Sequence, residues 1–405
     1  MTTIVTQRRR LTALRAAWLF DGTSAALTAN PVVVLDGTTI VAMEPRGTIP
    51  DGAQVVDLAG ATLLPGLVDT HVHLAFDASR DAVRNLAARD DGAALAAMAD
   101  AARTAAGGGV TTVRDLGDRN YLSLSLRDAT PPGGPLPTIV AAGPPITTPR
   151  GHCHYLGGTA SGEDGLRRAV REHAARGVDV IKIMASGGNL TPGTHPELPQ
   201  FTVAELRAAV EEAHRHSLPI TAHAHGTPAI AAAVAAGVDG IEHASFVSAE
   251  GVDPAPAGLV QALVDQRVAL GATAGFAGGR TDAMRPEMIA RVPHMLANFR
   301  RLYEAGASIV VGTDAGVGPS KPHDVLRWAV AQLGDIGMGA AEALRTVTST
   351  AAAVCGLGHR KGRLAPGFDA DVVAVDGNPL VDPSALHRIR VVYVRGTAVR
   401  PAESE

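Results

Sequence analysis

The sequence has 405 residues, 46% of them hydrophobic and 19% charged, which is enough for a large buried core and a second, smaller unit. A formal net charge of −4 and an aromatic content of 3% exclude a dominant basic or base-stacking surface, so we expect no nucleic acid partner. No apolar run approaches the roughly 18 residues that cross a bilayer, and we expect no membrane partner.

The N-terminal segment and the cysteines bear on the compartment. Residues 8–10 are three arginines followed by an apolar stretch that superficially resembles an export signal, but Arg15 interrupts that stretch. We therefore interpret residues 16–20 as the first strand of the mature protein. The two cysteines, Cys153 and Cys355, imply no disulfide framework. We expect a cytoplasmic enzyme, and a chain of this size is compatible with a homo-oligomer.

Both ends of the chain carry short β-rich runs separated by turn signals. An Asp-Gly pair between such runs is a strong hairpin signal. We predict one small β-sandwich module made from residues 1–62 and 359–405, although two unrelated strand clusters would give the same pattern. The runs are residues 16–20, 31–35, 39–43, 54–58, 371–375 and 391–394.

The middle of the chain, residues 63–358, alternates predicted strands with Ala-rich amphipathic helices. Eight strand–helix units in series predict a (β/α)8 TIM barrel, so the predicted fold class is α/β. The predicted strands are residues 67–74, 111–116, 138–142, 178–184, 220–225, 240–244, 268–273 and 308–312. The predicted helices include residues 92–106, 163–176 and 227–236, which stop at Gly107, Gly177 and Gly237, and also 203–216 and 342–355.

The first barrel strand ends in two histidines separated by one residue, within LLPGLVDTHVHL. Residues i and i+2 of a strand point to the same side, so His71 and His73 would aim their imidazoles at one point. Two converging imidazoles suit a divalent metal. A histidine pair at the end of a half-buried strand is also common without one, so the prediction depends on the later strands.

Four later strand ends supply further side chains of the types that bind metal. They are Lys182 in VDVIKIMASGG, His223 in PITAHAHG, His243 in GIEHAS and Asp314 in IVVGTDAG. Each has an ordinary structural explanation, such as a core histidine or a helix cap. The carboxyl ends of barrel strands line one shared site, however, and together these residues predict a site for a zinc-like ion.

These motifs resemble those of the metal-dependent amidohydrolase superfamily, and the resemblance runs over nearly the whole chain. GRLAPGFDADVVAVDGNPL, near the C-terminus, is similar to that superfamily's C-terminal β-module signature. The chain most resembles the imidazolonepropionase-like branch, which includes Xaa-Pro and Xaa-Arg dipeptidases, carboxypeptidases and ochratoxinase-type amidases. The resemblance implies hydrolysis of an amide or peptide bond in a small-molecule, N-acyl amino acid or dipeptide-like substrate.

The resemblance also implies two divalent ions, assigned as Zn²⁺. One would be held by His71, His73 and Asp314, and the other by His223 and His243. Lys182 would carry a carbamate derived from carbon dioxide and bridge both ions, although an ordinary charged lysine at a one-metal site remains open.

Two such metal ions would hold a bridging hydroxide ready to attack a carbonyl. Asp314 would act as the catalytic proton carrier between the water and the leaving nitrogen.

The loop PRGHCHYLGG and a residue after His223 are candidates for substrate binding. His152 or His154 would orient the carbonyl, and Arg150 or Tyr155 would meet a carboxylate, because arginine binds carboxylates through two parallel hydrogen bonds. A polar loop packing against its neighbours is the alternative. His225 would bind substrate rather than metal.

Other functions remain open at this stage. The nearest alternative function is that of a deaminase or cyclic-amide (imidazolone-type) hydrolase of the same superfamily. Deaminase relatives, however, usually carry a Glu shortly after the third metal histidine. Here Ala224-His225-Gly226-Thr227 follows instead. A phosphotriester or carbamate hydrolase could use the same hydroxide. A non-catalytic metal-binding homologue is the alternative from another class.

Overall fold

The computed structural model describes residues 11–44, 48–131, 133–278 and 286–399. Residues 8–10, where the sequence resembles an export signal, lie outside these ranges. The strands of the described residues are β1 (Thr12–Leu19), β2 (Thr28–Ala29), β3 (Val32–Asp36), β4 (Thr39–Glu44), β5 (Gln54–Pro65), β6 (Leu67–Val72), β7 (Val110–Asp115), β8 (Thr138–Ala141), β9 (Ile181–Met184), β10 (Ile220–Ala224), β11 (Gly240–His243), β12 (Ala269–Ala272), β13 (Ser308–Val311), β14 (Val372–Asp376), β15 (Ile389–Val394) and β16 (Thr397–Val399).

Helices alternate with the strands of the middle region. The α-helices are α1 (Ala82–Ala87), α2 (Asp91–Gly107), α3 (Leu122–Ala129), α4 (Gly162–Arg176), α5 (Val203–Arg215), α6 (Thr227–Ala236), α7 (Ala257–Asp265), α8 (Pro286–Glu304), α9 (Leu326–Leu333), α10 (Ala340–Thr346) and α11 (Ser349–Val354). Short 3₁₀ turns lie at His154–Leu156, Gly334–Ile336 and Pro383–His387. Among these helices, none combines the length and apolar character that a bilayer-spanning segment needs.

Strands from both ends of the chain share one eight-stranded sheet. Its order is β16-β15-β14-β5-β1-β3-β4, with β2 paired to β1. β5 is central because it pairs in parallel with β1 and antiparallel with β14. One face of this sheet packs a separate apolar cluster that includes Leu14, Val33, Leu63 and Val372.

The eight strands of the middle region run in parallel and form two sheets. One contains β6, β7 and β8, and the other contains β9 to β13 in sequence order. Isolated parallel bridges link the neighbouring ends of these sheets, joining Ile146 to Ile183 and Val72 to Ala315. The fold is therefore α/β, and all carboxyl ends of the paired parallel strands within each sheet face the same way.

Local chemistry explains several of the helix boundaries. Thr202 and Glu205 form a capping box at the start of α5, with each side chain bonded to the other residue's backbone N–H. Gly177 and Gly237 end α4 and α6 in the left-handed conformation, as the sequence predicted. α2 runs through Gly107, and the left-handed glycine there is Gly109.

The predicted single helix over residues 342–355 is wrong, because two short helices, α10 and α11, occupy that region. The break at Val347 and Thr348 has a specific cause. The Val347 carbonyl accepts a hydrogen bond of 2.8 Å from the Val68 N–H, which ties this segment to β6. Because the Val347 carbonyl bonds to this strand, it does not accept the hydrogen bond that would continue the helix.

Candidate metal centre

Three side chains meet where the end of β6 lies beside the segment after β13. Asp314 Oδ1 lies 3.5 Å from His71 Nε2 and 3.3 Å from His73 Nε2, and the two Nε2 atoms are 3.3 Å apart. The backbone brings these groups together, since the Asp314 N–H donates to the His71 carbonyl at 2.7 Å. The sequence-predicted convergence of His71 and His73 is therefore present in the structure.

The buried carboxylate of Asp69 holds the end of β6 close to the segment after β13. Asp69 accepts hydrogen bonds from the Thr313 N–H (2.9 Å), the Thr313 hydroxyl (2.6 Å) and the His71 N–H (3.2 Å). Gly312 has to be a glycine, because a Cβ there would lie 2.3 Å from the His71 Cβ. The close passage of the two chain segments thus depends on Asp69 and on the missing side chain at 312.

A second group of three histidines lies at the ends of β10 and β11. His223, His225 and His243 each offer a ring nitrogen, and these atoms lie within 4.8 Å of one another. The His225 ring stacks on His243 with centroids 4.3 Å apart, and its Nδ1 lies 2.7 Å from the Ser245 hydroxyl. His223 Nε2 lies 2.9 Å from the Gly187 carbonyl, so this nitrogen carries the proton and leaves Nδ1 as a free lone pair.

Lys182 on β9 lies among the same groups. The side chain is buried, with 1% of its surface exposed, and its Nζ has no hydrogen-bond partner within the described residues. Burial lowers the pKa of this ammonium from 10.5 to about 8. At a pKa of about 8, a minor fraction of Lys182 is an uncharged amine near neutral pH. The His71 and His243 rings, with centroids 5.2 Å apart, connect the two clusters.

Charge and backbone geometry are both unusual at this site. Burial opposes ionisation of Asp314, but His71 and His73 outweigh it and lower the pKa of the Asp314 carboxyl. Burial also opposes protonation of His73, yet Asp314 holds the pKa of that imidazole above its usual value. His243 and Asp314 have φ values of +75° and +62°, in the left-handed region that non-glycine residues rarely adopt. Such outliers concentrate at functional sites.

The candidate substrate-binding residues fall into two groups. His152 is buried, its ring lies 4.8 Å from the His223 ring, and its Nδ1 has no partner within the described residues. His152 therefore stands directly beside the histidine cluster, of which His225 is a member. Arg150 is exposed, and the half-buried His154 places its Nδ1 3.0 Å from the Gly151 carbonyl.

Tyr155 completes this loop next to a cysteine. Its hydroxyl lies 3.7 Å from the Cys153 sulfur. Burial raises the pKa of the Cys153 thiol to about 12, so this thiol is not a nucleophile at neutral pH.

Sequence reasoning missed an acid and a base that support the site from inside the fold. Glu242 Oε2 lies 3.1 Å from His71 Nδ1, and Glu242 Oε1 accepts from Arg114 Nη2 at 2.8 Å. Both side chains are buried. The available signal was Arg114 in VTTVR and Glu242 in GIEH, two opposite charges in predicted strands, because buried charges are almost always paired.

The family model described as Amidohydrolase family matches residues 62–399. The chain belongs to the amidohydrolase family. It is a hydrolase acting on amide bonds.

Relatives of this amidohydrolase include characterised enzymes. Ochratoxinase from Aspergillus niger is 29% identical over 367 residues, covering 82% of this chain and 73% of the relative. Imidazolonepropionase from Deinococcus deserti is 27% identical over 391 residues, covering 87% and 88%. A solved Xaa-Pro dipeptidase with methionine bound in its active site is similar with a TM-score of 0.82 and 28% identity, over 96% of this chain and 99% of that one.

The residues of this amidohydrolase fit the divalent metal that the family generally uses. His71 and His73 turn their Nε2 atoms toward Asp314, while Gly117 O lies 3.1 Å from His73 Nδ1 and fixes its proton there. Imidazole and carboxylate ligands of this kind suit first-row divalent ions. The Nζ of Lys182 adds a buried polar atom that the described part of the chain leaves without a hydrogen-bond partner.

Buried neutral histidines predict how the stability of the metal-free enzyme depends on pH. Burial lowers the pKa of His152 to about 3 and the pKa values of His71 and His225 to about 4. Between pH 4 and about 6.5 the unfolded chain therefore binds more protons than the folded one, and the free energy of unfolding rises with pH.

We expect urea unfolding of metal-free protein at a series of pH values to show this rise. The His225→Gln variant should show a shallower slope, because it removes one of the groups that protonate only on unfolding. An identical slope in the variant and the parent would contradict this assignment.

Proposed function

We propose that this amidohydrolase is a binuclear metal-dependent enzyme that cleaves the amide bond of an N-acyl amino acid or dipeptide-like substrate. The observation that carries the proposal is the convergence of two ligand groups, His71–His73–Asp314 and His223–His243, in one buried site. Lys182 lies in the same site, and its Nζ has no hydrogen-bond partner among the residues that the structure describes. One ion would be held by the first group and the second by His223 and His243.

Lys182 is proposed to carry a carbamate that bridges the two ions. A neutral amine adds to carbon dioxide, whereas an ammonium cannot, and the pKa of about 8 makes the amine accessible. The product is an anion with two oxygens in place of a cation, which changes Lys182 from a group that repels metal ions into a ligand. The proposal is supported by the burial of Lys182 and the free Nζ.

The protein's own groups account for proton transfer and for positioning the substrate. When bound, the ions supply Lewis acidity and lower the pKa of a water molecule toward neutrality, and zinc suits the nitrogen and oxygen ligands. Asp314 is proposed to accept the proton of the attacking water and to deliver it to the leaving nitrogen. Its lowered pKa keeps the carboxylate ionised, as a metal ligand requires.

Substrate contacts are proposed for the polar residues around the centre. His152 and His225 stand beside the ligand cluster, and the free Nδ1 of His152 can hydrogen-bond a substrate carbonyl. Arg150 and Tyr155 are proposed to bind a substrate carboxylate. His154 is proposed to bind the substrate carbonyl if the loop shifts on binding. The Xaa-Pro dipeptidase relative supports a substrate with an amino acid on one side of the amide.

The architecture around this site is also part of the proposal. We propose that β6 to β13 close into a (β/α)8 barrel through the bridges at Val72–Ala315 and Ile146–Ile183. We retain residues 63–358 as the barrel and residues 1–62 with 359–405 as a β-sandwich module, with β5 crossing the first boundary. The two free cysteines support placement in the reducing cytoplasm.

A cyclic-amide hydrolase is the second candidate. The similarity to an imidazolonepropionase over 87% of the chain favours it. Its chemistry would use the same site, with an amide inside a ring as the scissile bond.

A substrate screen tests the proposal directly. We expect zinc-loaded protein to hydrolyse dipeptides or N-acyl amino acids, and the metal-stripped protein to lose that activity and regain it with added zinc. Hydrolysis of imidazolone-type rings alone would favour the second candidate. Equal activity in stripped and loaded protein would overturn the metal-dependent mechanism.

The role of Asp314 gives a separate prediction. Asp314→Asn keeps an oxygen that can bind metal but cannot accept a proton, so turnover should fall by about 10²- to 10⁴-fold. Metal analysis should find much of the metal still bound. Full activity in this variant would exclude Asp314 as the proton carrier.

The bridging role of Lys182 predicts chemical rescue. Lys182→Ala should lose metal and activity, and a small carboxylic acid added to the buffer should restore part of both by occupying the space of the carbamate. The buried Lys361 pairs with Asp369 and Asp371 in the terminal sheet, so Lys361→Met is a control that should leave the metal content unchanged. Full metal occupancy of Lys182→Ala without the acid would refute the bridge.

A further inference from the structure

Glu242, on β11, contacts three side chains that come from three other strands. Its Oε1 accepts from Arg114 Nη2 and from the Thr221 hydroxyl, both at 2.8 Å. Its Oε2 lies 3.1 Å from His71 Nδ1. Arg114 in turn donates from Nε to the Thr70 carbonyl at 2.6 Å, directly before His71 in the chain. The carboxylate therefore joins β7, β10 and β11 to the strand that carries the first histidine pair.

The sequence makes room for this carboxylate at one position. A Cβ on Gly271 of β12 would lie 2.0 Å from Glu242 Oε2, so a side chain at that position would displace the carboxylate. Glu242 itself is 1% exposed. The guanidinium of Arg114, 2.8 Å from Oε1, supplies the opposite charge that a buried carboxylate needs.

The orientation of the His71 ring follows from this contact. Glu242 can only accept a hydrogen bond, so it favours the proton of His71 on Nδ1 and leaves Nε2 as a lone pair. Nε2 is the atom that faces Asp314 and His73. Histidine ligands of metals are commonly held in this way by a carboxylate on the other ring nitrogen.

We propose that Glu242, held by Arg114 and Thr221, is a positioning residue that sets the tautomer and orientation of His71 for metal binding. The inference rests on the proposed metal site, which it deepens by adding a residue outside the ligand set. The alternative is that the Arg114–Glu242 pair is a buried ion pair with a role in folding alone. That alternative predicts effects of substitution on stability but none on metal affinity.

Glu242→Gln separates these two roles. Glutamine keeps the shape but has one acceptor oxygen, whereas Glu242 turns Oε1 toward Arg114 and Thr221 and turns Oε2 toward His71 Nδ1. The amide NH₂ of glutamine must therefore face either Arg114 and Thr221 or His71 Nδ1. In the second arrangement it donates to Nδ1 and moves the His71 proton to Nε2, which removes the lone pair that would bind metal.

The experiment is a titration of metal-free protein with Co²⁺, read by calorimetry and by the visible absorption of bound cobalt. We expect Glu242→Gln to weaken one of two binding events by about 10- to 100-fold and to alter the cobalt spectrum. The matched control is Asp371→Asn, which also removes a buried carboxylate from an ion pair but leaves Lys361 paired with Asp369. Its cobalt affinity and spectrum should equal those of the parent.

Each outcome of these titrations either supports the role of Glu242 or contradicts it. Equal cobalt affinity and spectra in the parent and Glu242→Gln overturn the inference, as does an equal loss in Glu242→Gln and Asp371→Asn, which indicates a general loss of stability. If Glu242→Gln does not fold, Thr221→Val removes one hydrogen bond from Glu242 and keeps the ion pair. It should lower the cobalt affinity measurably, and unchanged affinity overturns the inference. A parent that binds no cobalt instead refutes the proposed function.

Discussion

The site depends on the close approach of two backbone segments, the end of β6 and residues 312–315. The hydrogen bond between the Asp314 N–H and the His71 carbonyl fixes the separation of these segments. Asp69 reinforces it by bonding to Thr313 and to His71 together. Because this approach sets where the histidines and the aspartate stand, the geometry of the first ligand group is a property of the backbone as much as of the side chains.

Much of the fold could be predicted from the sequence because its signals are local. The Asp36-Gly37 turn between β3 and β4, the left-handed stops at Gly177 and Gly237, and the eight strands of the middle region follow from residue type and spacing. The break between α10 and α11 could not be predicted in this way. It depends on a hydrogen bond to β6, almost 280 residues away in sequence, about which local propensity carries no information.

The residues proposed as metal ligands could be predicted from the sequence, but the prediction of the site did not include Glu242. The convergence of His71, His73 and Asp314 follows from strand alternation and from the position of strand ends in α/β folds. Glu242 was not predicted as part of the site, because regular alternation would turn neighbouring side chains in a strand to opposite sides. The left-handed backbone at His243 ends that alternation, so Glu242 and His243 both reach the histidine cluster.

The connection between β5 and β6 has a consequence for how the chain can be divided. Only Gly66 separates them, and its N–H donates to the Asp371 carbonyl at 2.9 Å. β5 lies between β1 and β14, so removing either end of the chain would leave an unpaired edge on the strand that leads directly to His71. The terminal sheet is therefore an anchor for the strand that carries His71.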